Sequence, residues 1–136
     1  MRDLAEKIAF SYLGRPYIWG GDDPSGFDCS GFIIEIFKSI GKLPRKGDWT
    51  ASQLSQMWQR IGEPHKGDLV FWENINHHVI HVEMCLGDGL SIGASGGGSK
   101  TLTVADAMAH NAFIKIRPIK TRLGVWGYTN PFLLGY

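Results

Sequence analysis

Apolar residues recur at helical spacing near the start of the chain, where Leu4, Ala5, Ile8, Ala9 and Tyr12 share one face. Gly14 and Pro16 close that helix. Residues 15–28 have no period and read as a loop. From Cys29 the helical period returns: Phe32, Ile33, Ile36, Phe37 and Ile40 form a stripe, with Glu35, Lys38 and Ser39 facing away. Gly41 suits the position after that helix, and Pro44 follows. Thr50 and Gln53 have capping-box spacing and predict a shorter helix through about Trp58. Then the period changes to two. Leu69–Trp72 and Val79–Leu86 read as strands, the second with Val82, Met84 and Leu86 on one face and His81, Glu83 and Cys85 on the other. The Gly-Asp-Gly at 87–89 predicts a hairpin into a strand over Leu90–Ala94. Thr101–Val104 and Phe113–Ile119 read as further strands, with a helical turn over Asp106–His110 between them. The aromatic tail from Val125 is either an edge strand or a cover over the core. Helices first and strands later predict one α+β domain over residues 1–136, with an antiparallel sheet.

Composition narrows the function classes. The chain has 136 residues, 43% of them hydrophobic and 20% charged, with a net charge of +1. It has no basic excess for nucleic acid and no apolar run long enough to span a bilayer. Two cysteines make no disulfide framework, and the histidines do not join them at metal-ligand spacing, so no metal site is expected. The first ten residues lack the pattern of a signal peptide. The chain is therefore expected to be either a protein made without one or a piece of a longer one.

Cys29 stands at a helix start. Unpaired backbone N–H groups there favour a thiolate and are placed to hold an oxyanion. Ser30 and Gly31 follow, and Gly31 leaves room for a substrate to approach. Nucleophilic chemistry also needs a base, and His81, inside a strand, is the candidate. Each has a plainer reading: free cysteines are commonly buried and inert, and strand histidines are commonly half-buried packing residues. His77 and His78 are expected at an exposed turn, His65 and His110 on the surface, and Cys85 buried as a bystander. Trp19, Trp49, Trp58 and Trp72 are expected in the core or in cleft walls, and Asp68 is expected to fix a turn.

The segments "RPYIWGGDDPSGFDCSGF", "KGDLVFW" and "HVEMCLGDG", in that order, resemble the signature segments of the NlpC/P60 family of cysteine peptidases over about residues 12–95. The resemblance implies a minimal papain-like α+β fold and cleavage of amide bonds in bacterial cell-wall peptides, often between D-γ-glutamate and a diamino acid. It makes Cys29 the nucleophile and His81 the general base, with Tyr17 near the oxyanion and Asp28 and Ser30 at the substrate's amine. Core packing for Tyr17 and helix capping for Asp28 are the competing readings. Cysteine–histidine hydrolysis would need no organic cofactor. The implied partner is peptidoglycan, and the place of action is the cell wall. The missing signal pattern adds the expectation of a phage or prophage lysin with tail or lysis partners. Two rivals stand beside this reading: a papain-like amidase or acyltransferase, and an inactive wall-binding or virion module.

The chain departs from the family pattern at two places. The family's third polar residue, usually a histidine, falls on Gly93, which cannot orient an imidazole. Glu83 stands where the family usually has glycine. The expectation is that the two changes compensate, with Glu83 entering the space left at Gly93 and accepting the ring N–H of His81. The alternatives are that Glu83 faces solvent, that Ser91 or Ser95 orients the ring, or that the site is a dyad.

Overall fold

A computed structural model describes residues 1–18, 22–23, 26–96 and 101–133, with only the backbone of 22, 23 and 26. The expectations for Trp19 and for the glycines at 20, 21, 97 and 98 fall outside the described residues. The helices are α1 (Arg2–Ser11), α2 (Cys29–Ser39), α3 (Ala51–Ser55) and α4 (Val104–Ala109). A two-stranded ribbon, β1 (Asp22–Asp23) with β2 (Gly26–Phe27), lies in the stretch expected to be plain loop. The main sheet is antiparallel in the order β3-β8-β4-β5-β6-β7, from β3 (Gln59–Ile61), β8 (Val125–Asn130), β4 (Leu69–Glu73), β5 (Val79–Gly87), β6 (Leu90–Ser95) and β7 (Phe113–Pro118).

The core follows from the apolar stripe of α2. Phe32, Ile33, Ile36 and Phe37 are fully buried against Leu69, Phe71, Val82, Met84, Ile92 and Ala94 of the sheet. Each such side chain contributes about 1.5–3 kcal/mol relative to exposure. Gly41 ends the helix with a φ of 78°, a conformation that costs glycine little. Because strand residues alternate, the neighbours Val70, Trp72 and Cys85 turn to the other face of the sheet and form a second, smaller cluster with Ile119. His81 and Glu83 belong to that face by alternation, as the sequence pattern predicts.

Three expectations need correction. Thr101–Val104 is not a strand: Thr103 accepts the N–H of Asp106, whose carboxylate takes the N–H groups of Leu102 and Thr103, and this capping box starts α4 at Val104. The helix opened by Thr50 stops at Ser55, and a turn over residues 56–58 leads into β3. The aromatic tail is neither an edge nor a cover, because β8 pairs with β3 on one side and β4 on the other. β3 takes the edge. No helix among the described residues is long and apolar enough to cross a membrane.

Candidate active site

Asp28 sits at the N-cap of α2 with extended backbone, and its carboxylate accepts the N–H of Gly31 at 2.6 Å. The Ser30 hydroxyl donates weakly to the same oxygen at 3.4 Å. This cap makes Cys29 the first residue of the helix, half-buried at its surface. The backbone N–H groups of Val82 and Ser30 lie close enough to the sulfur to lower its thiol pKa.

The Val82 contact has a cause in the sheet. Pairing of β5 with β6 runs from the hairpin to Met84↔Ile92 and stops there. Cys85 gives its N–H to Asp68 on the β4 side. By alternation, Val82 turns its N–H toward the β6 side, where it acts on the Cys29 thiol. The sulfur thus lies near the backbone of Val82, the residue that follows His81. On the β4 side Trp72 faces His81 while Glu73 faces Val79, so Ile80 is an extra residue in β5. A bulge of this kind re-aims the side chains beside it.

His81 and Glu83 are both buried, and His81 Nε2 lies 2.6 Å from Glu83 Oε2. The reading of Glu83 as a solvent-facing rim residue is therefore wrong: its carboxylate is 1% exposed. The space it occupies comes from Gly93. A Cβ at position 93 would lie 2.3 Å from Glu83 Cγ, a distance that real atoms do not tolerate. The other carboxylate oxygen accepts the Ser91 hydroxyl at 2.7 Å, and Arg117 Nη2 stands 3.9 Å from Oε2. Ser91 thus holds Glu83, not His81. Ser95 is buried, and its hydroxyl has no hydrogen-bond partner among the described residues. The ring of Trp72 packs on His81 with centroids 5.2 Å apart.

The charges of the group follow from this packing. Burial would raise the Glu83 carboxyl, but the hydrogen bond and charge of His81, the Ser91 hydroxyl and Arg117 together hold it below the usual carboxylate range. Burial lowers the His81 imidazole, and Glu83 offsets only part of that. Near neutral pH the pair is an ionised carboxylate and a neutral imidazole. The carboxylate accepts Nε2–H, which leaves the lone pair on Nδ1. Burial, and then the Asp28 charge, push the Cys29 thiol up to about 11, against the pull of the Val82 and Ser30 N–H groups and the Arg122 charge. The resting sulfur carries its proton. Tyr17 is buried, and its phenol is raised first by burial and then by the charges of Cys29 and Asp28, so it stays a donor beside them.

His77, His78, His65 and His110 are all exposed, and Cys85 is buried, as expected. Asp68 is fully buried and fixes its turn by accepting the N–H of His65. Sequence reasoning missed Arg117 and Arg122. Arg117 pairs with Ser91 across β6 and β7, a register that the sequence does not display. Arg122 arrives from a loop between β7 and β8.

A helix that begins with a cysteine, laid on an antiparallel sheet whose adjoining strand carries a histidine, is the papain-like α+β arrangement. Within that class the chain belongs to the NlpC/P60 family, whose model matches residues 14–118. Protein P54 of Enterococcus faecium is 40% identical over 87 residues, which are 63% of this chain and 16% of that protein. A gamma-D-glutamyl-L-lysine dipeptidyl-peptidase of Bacillus cereus is 41% identical over 83 residues, 57% of this chain and 24% of that protein. The chain thus spans less than a quarter of the length of these relatives. The crystal structure of the NlpC/p60 domain of the peptidoglycan hydrolase SagA superposes with a TM-score of 0.74 at 27% identity, covering 96% of this chain and 98% of that one.

Proposed function

We propose that this chain is a cysteine peptidase that hydrolyses the amide between a D-γ-glutamyl residue and a diamino acid in peptidoglycan stem peptides. One observation carries the reading. A thiol at a helix start sits beside Val82, the strand residue next to a buried histidine whose Nε2 is held by a buried carboxylate. The names of the similar proteins, a γ-D-glutamyl-L-lysine peptidase and a peptidoglycan hydrolase, support the substrate class.

The thiol is protonated at rest, so attack and proton transfer go together. Sγ of Cys29 bonds to the amide carbon while its proton moves to Nδ1 of His81. Glu83 stabilises the imidazolium that forms and holds the ring in place. The oxyanion is met by backbone N–H at the start of α2 and by the Tyr17 hydroxyl. The imidazolium then protonates the leaving amine, the C–N bond breaks, and a thioester remains. Water gives a proton to His81 and attacks the thioester, the C–S bond breaks, and the thiol recovers its proton. Asp28 and Ser30 stand one residue either side of the sulfur, where they would receive the amine of a trimmed stem peptide.

Digestion of purified cell walls, with fragments identified by mass, tests this. The wild type should release fragments ending in D-γ-glutamate, and Cys29→Ala should release none. Equal fragment patterns from the two would sink the proposal.

A further inference from the structure

Arg122 follows a 3-10 turn over Ile119–Thr121 and lies beyond the residues that match the family model. Two contacts hold it. The Trp72 indole N–H donates to its carbonyl at 3.1 Å, and its guanidinium stands 5.9 Å from the centre of the Trp72 ring. That same ring packs on His81. Through Trp72 the guanidinium lies one ring away from His81, near enough for its charge to act on the Tyr17 phenol, the Cys29 thiol and the His81 imidazole. Yet it makes no ion pair among the described residues, whereas Arg2 pairs with Asp68 and Arg117 lies at Glu83. A half-buried guanidinium at an aromatic wall, with its fork open, is suited to a carboxylate that arrives with the substrate.

We infer that Arg122 binds the free α-carboxylate of the γ-glutamyl residue under attack and makes the site select a carboxylate over a carboxamide there. The inference rests on the peptidase reading above. A glutamyl residue linked through its side chain leaves its α-carboxylate free. Four carbon–carbon bonds, about 5 Å in all, separate that carboxylate from the attacked carbonyl. Asp28 acts on the same thiol and phenol with the opposite sign. One negative and one positive charge therefore act on the sulfur from nearby. They complement an alanyl-γ-glutamyl unit with a free amine and a free carboxylate.

The test compares two peptides, L-alanyl-D-γ-glutamyl-L-lysine and the same peptide with D-isoglutamine, which differ only in that carboxylate. The wild type should favour the first by roughly tenfold to a hundredfold in kcat/KM, chiefly through KM. Arg122→Gln should treat the two alike, and Arg122→Lys should keep part of the preference, which excludes simple unfolding. Calorimetry with Cys29→Ala should show the same discrimination in binding. A preference that survives in Arg122→Gln overturns the inference, as does equal binding of both peptides to Cys29→Ala. Slower alkylation of Arg122→Gln by iodoacetamide with an unchanged peptide preference also overturns it, since Arg122 would then only tune the thiol. Discrimination in binding without hydrolysis by the wild type would sink the peptidase reading and leave the carboxylate site standing.

Discussion

Glu83 fills the place that a side chain at position 93 would take, and this exchange decides how His81 is held. Gly93→Ala must displace Glu83 and should cost about 1–3 kcal/mol in chemical denaturation, with a loss of activity alongside. Glu83→Gln keeps the shape and removes the charge. It should lower kcat about a hundredfold with little change in KM, as expected of a residue that acts through the imidazole. It should also move the pH profile. Burial already keeps the His81 imidazole below its ordinary value of 6.5, so kcat/KM of the wild type should fall only as pH drops below that value and His81 takes a proton. Without the carboxylate the imidazolium loses its support, and the acid limb should shift to lower pH still. The family pattern of glycine at 83 and histidine at 93 suggests a stricter test. Gly93→His alone should be inactive, and Glu83→Gly added to it should recover activity.

At the level of elements, the site depends on one cap and on the end of one strand pairing. Asp28 caps α2 and also raises the Cys29 thiol by its charge. Asn caps nearly as well, so Asp28→Asn should leave stability almost unchanged while the thiol pKa falls from about 11. The rate of iodoacetamide labelling against pH would show this; an unchanged profile would mean that Asp28 does not act on the sulfur. The end of β5–β6 pairing at Met84 leaves the Val82 N–H outside that ladder, where it helps lower the Cys29 thiol pKa. None of this is visible in a hydrophobic pattern, because it depends on which backbone groups remain unpaired once the strands are in place. The start of α2, in contrast, was legible in the residues: Asp28 as cap, Cys29 as first residue, and the stripe from Phe32 onward. The reading failed at Thr101–Val104, where β-branched residues outweighed a Thr-x-x-Asp capping signal that was already present.

Across the whole molecule, the two ends of the chain are tied together. Arg2 donates to the carbonyl of Lys66, to Asp68 at 2.9 Å and to Asn130 at 3.1 Å, and its guanidinium lies 4.7 Å from the centre of the Phe132 ring. Asp68 is fully buried while Arg2 is about one-third exposed, so the pair is partly screened. Arg2→Ala should cost about 1–3 kcal/mol in denaturant unfolding and leave the pH profile of kcat/KM unchanged, because it touches none of the groups at the sulfur. The sequence by itself determined the helix that carries Cys29, the strand that carries His81, and the likeness to the NlpC/P60 family, since local periodicity, capping chemistry and short motifs are properties of neighbouring residues. The compensation between Glu83 and Gly93 was also expected there, because the chain departs from the family pattern at both positions and alternation puts Glu83 on the His81 face. Only the tertiary structure decided that β8 lies inside the sheet, that Ser91 and Arg117 hold Glu83, and that Arg122 packs on the Trp72 ring beside His81. Those contacts join residues far apart in the chain. They are set by strand order, register and loop path, which arise when the sheet assembles as a whole.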